Sequence, residues 1–174
     1  MNPREDGITH INVYSKAATE LGMFLSNFYP VDLEIGGEHY RSIEAYWYSL
    51  WASSVVTEAI EAGGAYRNLQ AKVKASHGYQ AKLLGKSLVK VAYGGEIPED
   101  SEPNESFKKK ILAAIRLKLL SDSKYLELFK ASSLPFTHYY YFGTVDNPAI
   151  VNTGRNEWLL LGLEKLRFDL KGFK

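Results

Sequence analysis

Residues 24–51 read FLSNFYPVDLEIGGEHYRSIEAYWYSLW, and the order of elements within them decides the fold. The polar-aromatic run Ser26-Asn27-Phe28-Tyr29-Pro30 reads as a loop. Residues 31–35 and 38–41 read as short strands, and the Gly36-Gly37 pair between them is a two-residue hairpin signal. Ser42 then has the chemistry of an N-cap, because its hydroxyl can accept from an orphan amide of the first helical turn. The helix that follows puts Glu44 at its second position. Tyr48 and Trp51 lie four and seven residues further on, on the same face, with Trp47 beside them. A carboxylate among aromatic rings and next to a polar loop suits a site for a flat base and a sugar. A structural explanation stands beside it: glutamate is favoured in any first turn by the helix dipole, and aromatics at helical spacing usually form core.

Working outward, residues 8–14 alternate and read as a strand, with 15–22 as a connector. Downstream, residues 55–62, 65–76 and 79–90 read as helices, the first closed by Gly63-Gly64. In the last of these, Lys82, Lys86 and Lys90 recur at every fourth position, a pattern that usually marks a solvated face and less often a phosphate contact. Residues 94–105 (GGEIPEDSEPNE) form a loop, read as a surface excursion in preference to a lid. Residues 105–120 carry the clearest helical stripe: Phe107, Ile111, Ala114, Ile115 and Leu119, with Lys108, Lys109 and Lys118 mostly off it. A short helix to about residue 130 is expected to be capped by Ser121 or Ser123. Residues 136–142 read as an aromatic strand, Asp146-Asn147-Pro148 as a turn, 150–152 as a brief extension, and 155–166 as a final helix. The balance is a mostly helical α+β single domain over residues 1–174 with a small β-sheet.

Composition removes several functions. The chain has 174 residues, a net charge of +1 and no cysteine. One domain with a sizeable core is expected. Disulfides, thiolate catalysis and cysteine-ligated zinc are excluded, and no broad basic face for duplex DNA is expected. His10, His39, His77 and His138 are scattered without metal-ligand spacing, so no metal is expected. The glycines form no phosphate loop or dinucleotide fingerprint, no nucleophile elbow exists, and no cofactor is expected. No leader segment or apolar run of membrane-spanning length is found, so the simplest expectation is a cytoplasmic protein without membrane contact.

The SNFYP loop, the glycine hairpin and the Ser-x-Glu helix start resemble the opening of the NADAR superfamily. Its members include YbiA-like N-glycosidases of riboflavin-pathway intermediates and enzymes that remove ADP-ribose from guanine bases of DNA. Lys82-Leu83-Leu84-Gly85-Lys86 resembles a helical segment of the family in which a glycine is followed by a basic residue. The family's closing pattern, aromatic-Gly, then Gly-x-Asn opening a helix that ends in arginine, is matched by Tyr141-Phe142-Gly143, Gly154-Arg155-Asn156 and Arg167. The likeness spans roughly residues 24–167. It departs where many members carry Glu-His-x-x-Gln-Ala-x-Lys: here the Glu is kept as Glu44, while Ala45, Tyr48 and Trp51 replace the His, Gln and Lys. Tyr139 stands where many members have an aspartate, and the last helix carries an extra residue.

The resemblance implies cleavage of an N-glycosidic bond between ribose and a base or amine, with Glu44 as the central carboxylate. An oxocarbenium-like transition state needs a negative group against the sugar carbon, or one that orients the attacking water. Asp146 and Glu157 are weaker second carboxylates, each expected as a turn or first-turn residue. Tyr48, Tyr139 or His138 can hydrogen-bond a leaving group. Asn27 and Asn156 suit ribose hydroxyls, and Phe28, Tyr29, Trp47 and Trp51 suit a stacking wall, at least half of it core. Gly154 and Arg155 open a helix where a phosphate can sit. Expected partners are a small-molecule nucleotide or ribosyl-phosphate, extending to ADP-ribosylated nucleic acid. Two further readings remain: a binding module for ADP-ribose or NAD without turnover, and a structural protein whose tyrosines form an interface.

Overall fold

A computed structural model describes residues 2–97, 104–152 and 154–172. In chain order the elements are β1 (Ile11–Asn12), α1 (Glu20–Leu25), β2 (Leu33–Ile35), β3 (Glu38–Tyr40), α2 (Ile43–Val55), α3 (Glu58–Glu61), α4 (Gly64–Lys74), α5 (Gly78–Ala92), α6 (Glu105–Leu120), α7 (Ser123–Ala131), β4 (Phe136–Thr137), β5 (Tyr139–Gly143), β6 (Pro148–Asn152) and α8 (Glu157–Gly172). Single 3-10 turns lie at Pro3–Glu5 and Gly154–Asn156. The fold is mostly helical α+β, and its strands pair in twos: β1 with β4, β2 with β3, and β5 with β6. The chain divides into two compact units: a helical unit, Asn27–Ala114, and a terminal unit built from Met1–Ser26 and Ile115–Lys174.

The helical unit begins with the expected hairpin. Leu33 pairs with Tyr40 and Ile35 with Glu38, and the intervening Gly36 and Gly37 have φ of 63° and 80°. Two consecutive left-handed residues make the turn whose twist suits a tight hairpin, and glycine takes that conformation without steric cost. Ser42 then caps α2: its Oγ accepts from the Ala45 amide at 3.0 Å and donates to the Ser76 carbonyl at 3.1 Å. One buried hydroxyl therefore starts α2 and ties it to the end of α4. The core of this unit lies between α2, α4 and α5 and includes Ala45, Tyr48, Ala52, Tyr66, Val73, Ala81, Leu88 and Val89.

The α2–α5 approach depends on one glycine. A Cβ built on Gly85 would lie 2.2 Å from Cγ and 2.6 Å from Cβ of Tyr48. Such distances are far inside van der Waals contact, so the Tyr48 ring occupies the space that a side chain at position 85 would need.

In the terminal unit, β1 and β4 run parallel, with Ile11 opposite Phe136. The Asn12 side chain extends that pairing: Nδ2 donates to the Tyr139 carbonyl at 3.0 Å, and Oδ1 accepts from the Tyr139 amide at 3.1 Å. Asp6 is buried and accepts from the amides of Asn12 and Ala18 at 2.9 and 2.7 Å. Arg167 donates to the Leu134 carbonyl at 2.7 Å, pairs with Glu164 and lies 4.5 Å over the Phe136 ring.

Several expected elements differ. The strand at 8–14 shrinks to Ile11–Asn12, because its partner β4 is only Phe136–Thr137 and the His138 side chain takes the Val13 carbonyl beyond it. Part of the connector at 15–22 opens α1, capped by Thr19, whose hydroxyl accepts from Gly22. The helix at 55–62 is only Glu58–Glu61, since α2 continues to Val55 and Thr57 starts afresh. The 136–142 strand breaks at His138, whose Nδ1 meets the Val13 carbonyl at 2.7 Å. Pro148 belongs to β6, opposite Gly143, and not to a turn. Asp122, not Ser121 or Ser123, caps α7, because its carboxylate accepts from both Lys124 and Tyr125 while Ser121 bonds back to the Lys118 carbonyl. The final helix starts at Glu157 and runs on to Gly172. Lys118 is not off the apolar stripe but fully buried, its Nζ donating to the Ser26 carbonyl at 2.9 Å and lying 4.8 Å over Phe24. Residues 98–103 of the 94–105 loop lie outside the described residues.

The Gly85–Tyr48 contact gives a direct test. Gly85→Ala is expected to destabilise the protein by about 2–3 kcal/mol through overpacking. In a Tyr48→Ala background the same change should cost under about 1 kcal/mol, because the obstructing ring is gone. A double-mutant cycle by denaturant unfolding reads the coupling. Additive costs would show that the ring does not set the approach of the two helices.

Candidate functional site

The helical unit gathers Glu44, Asn27 and Tyr48 around the start of α2. The loop that carries Asn27 is held by its own backbone. The Asn27 carbonyl accepts from the Glu44 amide at 3.0 Å, and the Phe28 carbonyl accepts from the Gly78 amide at 3.1 Å. Both donors belong to first turns, where helix amides lack intrahelical partners. The loop therefore satisfies the starts of α2 and α5 at once, and Asn27 is placed against Glu44 as a result.

Glu44 retains some exposure as a residue, yet its carboxyl is strongly desolvated. Burial pushes its pKa up to about 7, while Lys82, a hydrogen bond from the Asn27 side chain and Lys86 all pull the other way. Desolvation outweighs two cations and a donor, and it also outweighs a helix N-terminus, which favours the anion. The carboxyl is therefore poised between its acid and base forms at neutral pH. Since the amide nitrogen of Asn27 serves Glu44, its other end matters: Asn27 Oδ1 is buried and has no hydrogen-bond partner. An unpaired buried acceptor costs free energy and marks a place where a donor is wanted.

Tyr48 is buried, and its phenol is pushed well above its ordinary range, first by burial and then by the Glu44 charge. It stays protonated and can only act as a hydrogen-bond donor or acceptor. Its ring stacks at 15° to Trp51 with centroids 6.2 Å apart, and Trp47 meets Phe107 edge-on at 4.9 Å. Trp47 and Trp51 are partly buried against the core, so that half of the expected stacking wall is packing. Phe28 and Tyr29 are partly exposed beside the held loop.

The spacing of the lysines predicts mainly a solvated row. Lys82 is partly buried, Lys86 exposed, and both charges act on Glu44, whereas Lys90 is not among the groups that do. Gly85 lies between them, and its lack of a side chain allows α5 to approach α2.

The remaining candidates belong to the terminal unit. Tyr139 is fully buried, its hydroxyl 2.9 Å from His10 Nε2, and its pKa is pushed up to about 12 by burial and by Asp6. It lines a cavity of about 300 Å³ together with Arg4, Asp6, Asn12, Lys16 and Tyr141. The buried polar side chains of this cavity are already paired, Asp6 with the Asn12 and Ala18 amides, Asn12 with the Tyr139 backbone and Tyr139 with His10. Asp146 is exposed and pairs with Arg4, so it is occupied as a surface ion-pair partner. Glu157 is an exposed first-turn residue of α8. Gly154 and Asn156 form the 3-10 turn before α8, Asn156 partly buried, and a Cβ on Gly154 would meet nothing within 4 Å. The Arg155 side chain lies outside the described residues. Among the described residues no group of histidines and carboxylates could hold a metal ion, and no helix is long and apolar enough to cross a membrane.

No family model, curated protein or solved structure matched this chain.

The Glu44 charge state predicts a stability profile. A carboxyl whose pKa rises on folding binds its proton more tightly in the folded state. Its contribution is present below the unfolded value near 4.5 and is lost as pH rises through about 7. Above that, ionised Glu44 costs on the order of 2 kcal/mol after allowance for screening by solvent. Glu44→Gln is therefore expected to raise Tm at pH 8 and to leave it nearly unchanged at pH 5. A variant less stable than the wild type at pH 8 would mean that the ionised carboxylate is favourably held.

Proposed function

We propose that the chain is an N-glycosidase that hydrolyses the bond between a ribose and a base or amine in an ADP-ribose- or ribosyl-phosphate-containing substrate. The observation that carries this reading is the Glu44 carboxyl: desolvated, poised near neutrality, held by the Asn27 amide and adjacent to an unpaired acceptor. The SNFYP loop, hairpin and Ser-x-Glu helix start supply the reaction class through their resemblance to the NADAR superfamily.

A carboxyl titrating near pH 7 can give a proton and take one back in a single cycle. In its acid form Glu44 protonates the leaving nitrogen as the C–N bond breaks, and the bond's electron pair departs with that nitrogen. In its base form it stabilises the oxocarbenium carbon and receives the proton of the water that adds there. One carboxyl thus serves both half-steps, and Asn27 Oδ1 accepts from a ribose hydroxyl. The substrate range includes small nucleotides and ADP-ribosylated nucleic acid, in a cytoplasmic setting consistent with a cysteine-free chain.

A second reading is favoured by particular residues. Trp51, Ala45 and Tyr139 stand where many family members carry Lys, His and Asp, which suits a module that binds ADP-ribose or NAD without turning it over.

A product assay separates the two. Purified protein is incubated with NAD, ADP-ribose, ADP-ribosylated guanine DNA and ribosylaminopyrimidine phosphates, with Glu44→Gln in parallel. Release of base or amine that falls at least about 100-fold in Glu44→Gln is expected. A raised Tm without product would identify the binding module, and undiminished turnover by Glu44→Gln would remove Glu44 from the chemistry.

A further inference from the structure

We infer that Lys82 and Lys86 form a phosphate-binding subsite beside Glu44, built by the close packing of α5 on α2 at Gly85. This rests on the Glu44 reading for the identity of the site, but not for its charge.

The geometry comes first. Lys82 and Lys86 lie one turn apart on α5 and therefore on one face. Gly85, between them, is seated on the Tyr48 ring one turn along α2 from Glu44. That contact turns the lysine face toward the start of α2, where both charges reach the carboxyl. Two other lysines of the helical unit pair with carboxylates, Lys74 with Glu38 at 3.1 Å and Lys108 with Glu105 at 2.8 Å, while Lys72, Lys90, Lys109 and Lys110 form no such pair among the described residues but do not act on Glu44. Among the described residues, Lys82 and Lys86 form no such pair.

The charge balance follows. Two ammonium groups face one carboxyl that is only partly ionised at neutral pH, so the place carries a positive excess of at least one charge. It does so in a chain whose total is only +1. A partly desolvated positive excess beside an unsatisfied acceptor, Asn27 Oδ1, matches a ligand that presents an anion and a hydroxyl together. A phosphorylated sugar has both. A lone carboxylate ligand has no hydroxyl for Asn27, and an uncharged nucleoside leaves the cations uncompensated.

Glu44 and a bound phosphate compete for the same two cations. A phosphate that neutralises Lys82 and Lys86 removes the groups that favour ionised Glu44, so binding draws a proton onto the carboxyl. The charged and titratable groups acting on Glu44 are Lys82 and Lys86 of α5 and, on α2 itself, the Tyr48 phenol. Substrate binding thereby sets Glu44 in its acid form.

The test uses the full chain, with inorganic phosphate and ribose 5-phosphate as probes, at pH 7.5 and low ionic strength. Binding is read by calorimetry and by Tm. Lys82→Gln and Lys86→Gln are each expected to weaken both probes about tenfold. Lys90→Gln, in the same row but not acting on Glu44, should change neither. Glu44→Gln should tighten phosphate severalfold, because the competing anion is gone, and should abolish the proton uptake seen when buffers of different ionisation enthalpy are compared. Equal losses in all three lysine variants, or unchanged affinity in Lys82→Gln and Lys86→Gln, would overturn the subsite. If those two lose phosphate while Glu44→Gln keeps full turnover, the subsite stands and the catalytic reading of Glu44 falls. If turnover depends on Glu44 and phosphate affinity ignores both lysines, the reverse holds.

Discussion

Two backbone carbonyls, those of Asn27 and Phe28, hold the helical unit's site in place. Each accepts from an amide in the first turn of a different helix, Glu44 of α2 and Gly78 of α5. Helix starts leave donors that must be paired, and here one short loop supplies partners to two of them. The loop cannot move away without stranding both helix ends. Asn27, Glu44 and the start of α5 are in this way positioned by hydrogen bonds that involve no side chain. Side-chain identity at these positions is left open to chemistry.

The cost of that arrangement falls on Glu44. A glutamate in a first turn is normally a stabilising anion, yet here it sits where water is largely excluded and its charge is disfavoured. The Asn27 amide and the two α5 lysines recover part of this loss. A purely structural glutamate would have been free to turn toward solvent, as Glu157 does in the first turn of α8. Retaining a desolvated, half-ionised carboxyl is the kind of local instability that functional sites carry.

Much of the helical unit was legible in the sequence because its signals are local. Gly36-Gly37, Ser42 and the Glu44 helix each state their structure within a few residues. The terminal unit was less legible because its order depends on distant partners. Asp6 accepts from the Asn12 amide six residues away, and Asn12 pairs with the backbone of Tyr139 across 127 positions. No window of sequence displays such bonds. Lys118 is a different case. It stands seven residues after Ile111 and four after Ala114, on the apolar stripe of α6, and the helical period alone places it inside. Its charge argued against that position, and geometry prevailed because the ammonium could reach the Ser26 carbonyl and the Phe24 ring. For the site itself, Glu44 and Asn27 followed from the loop–hairpin–helix order, whereas the lysines needed the helix packing to be seen.

The seating of Tyr48 on Gly85 also bears on how the helical unit can move. Packed helices commonly slide past one another by an ångström or two, and such shear opens and closes many binding sites. A ring lodged where a β-carbon would otherwise stand acts as a latch between α2 and α5. Any sliding would drive the ring into the α5 backbone, so these two helices translate together. The spacing between the two helices that carry Glu44 and the lysines is thereby set by this single contact.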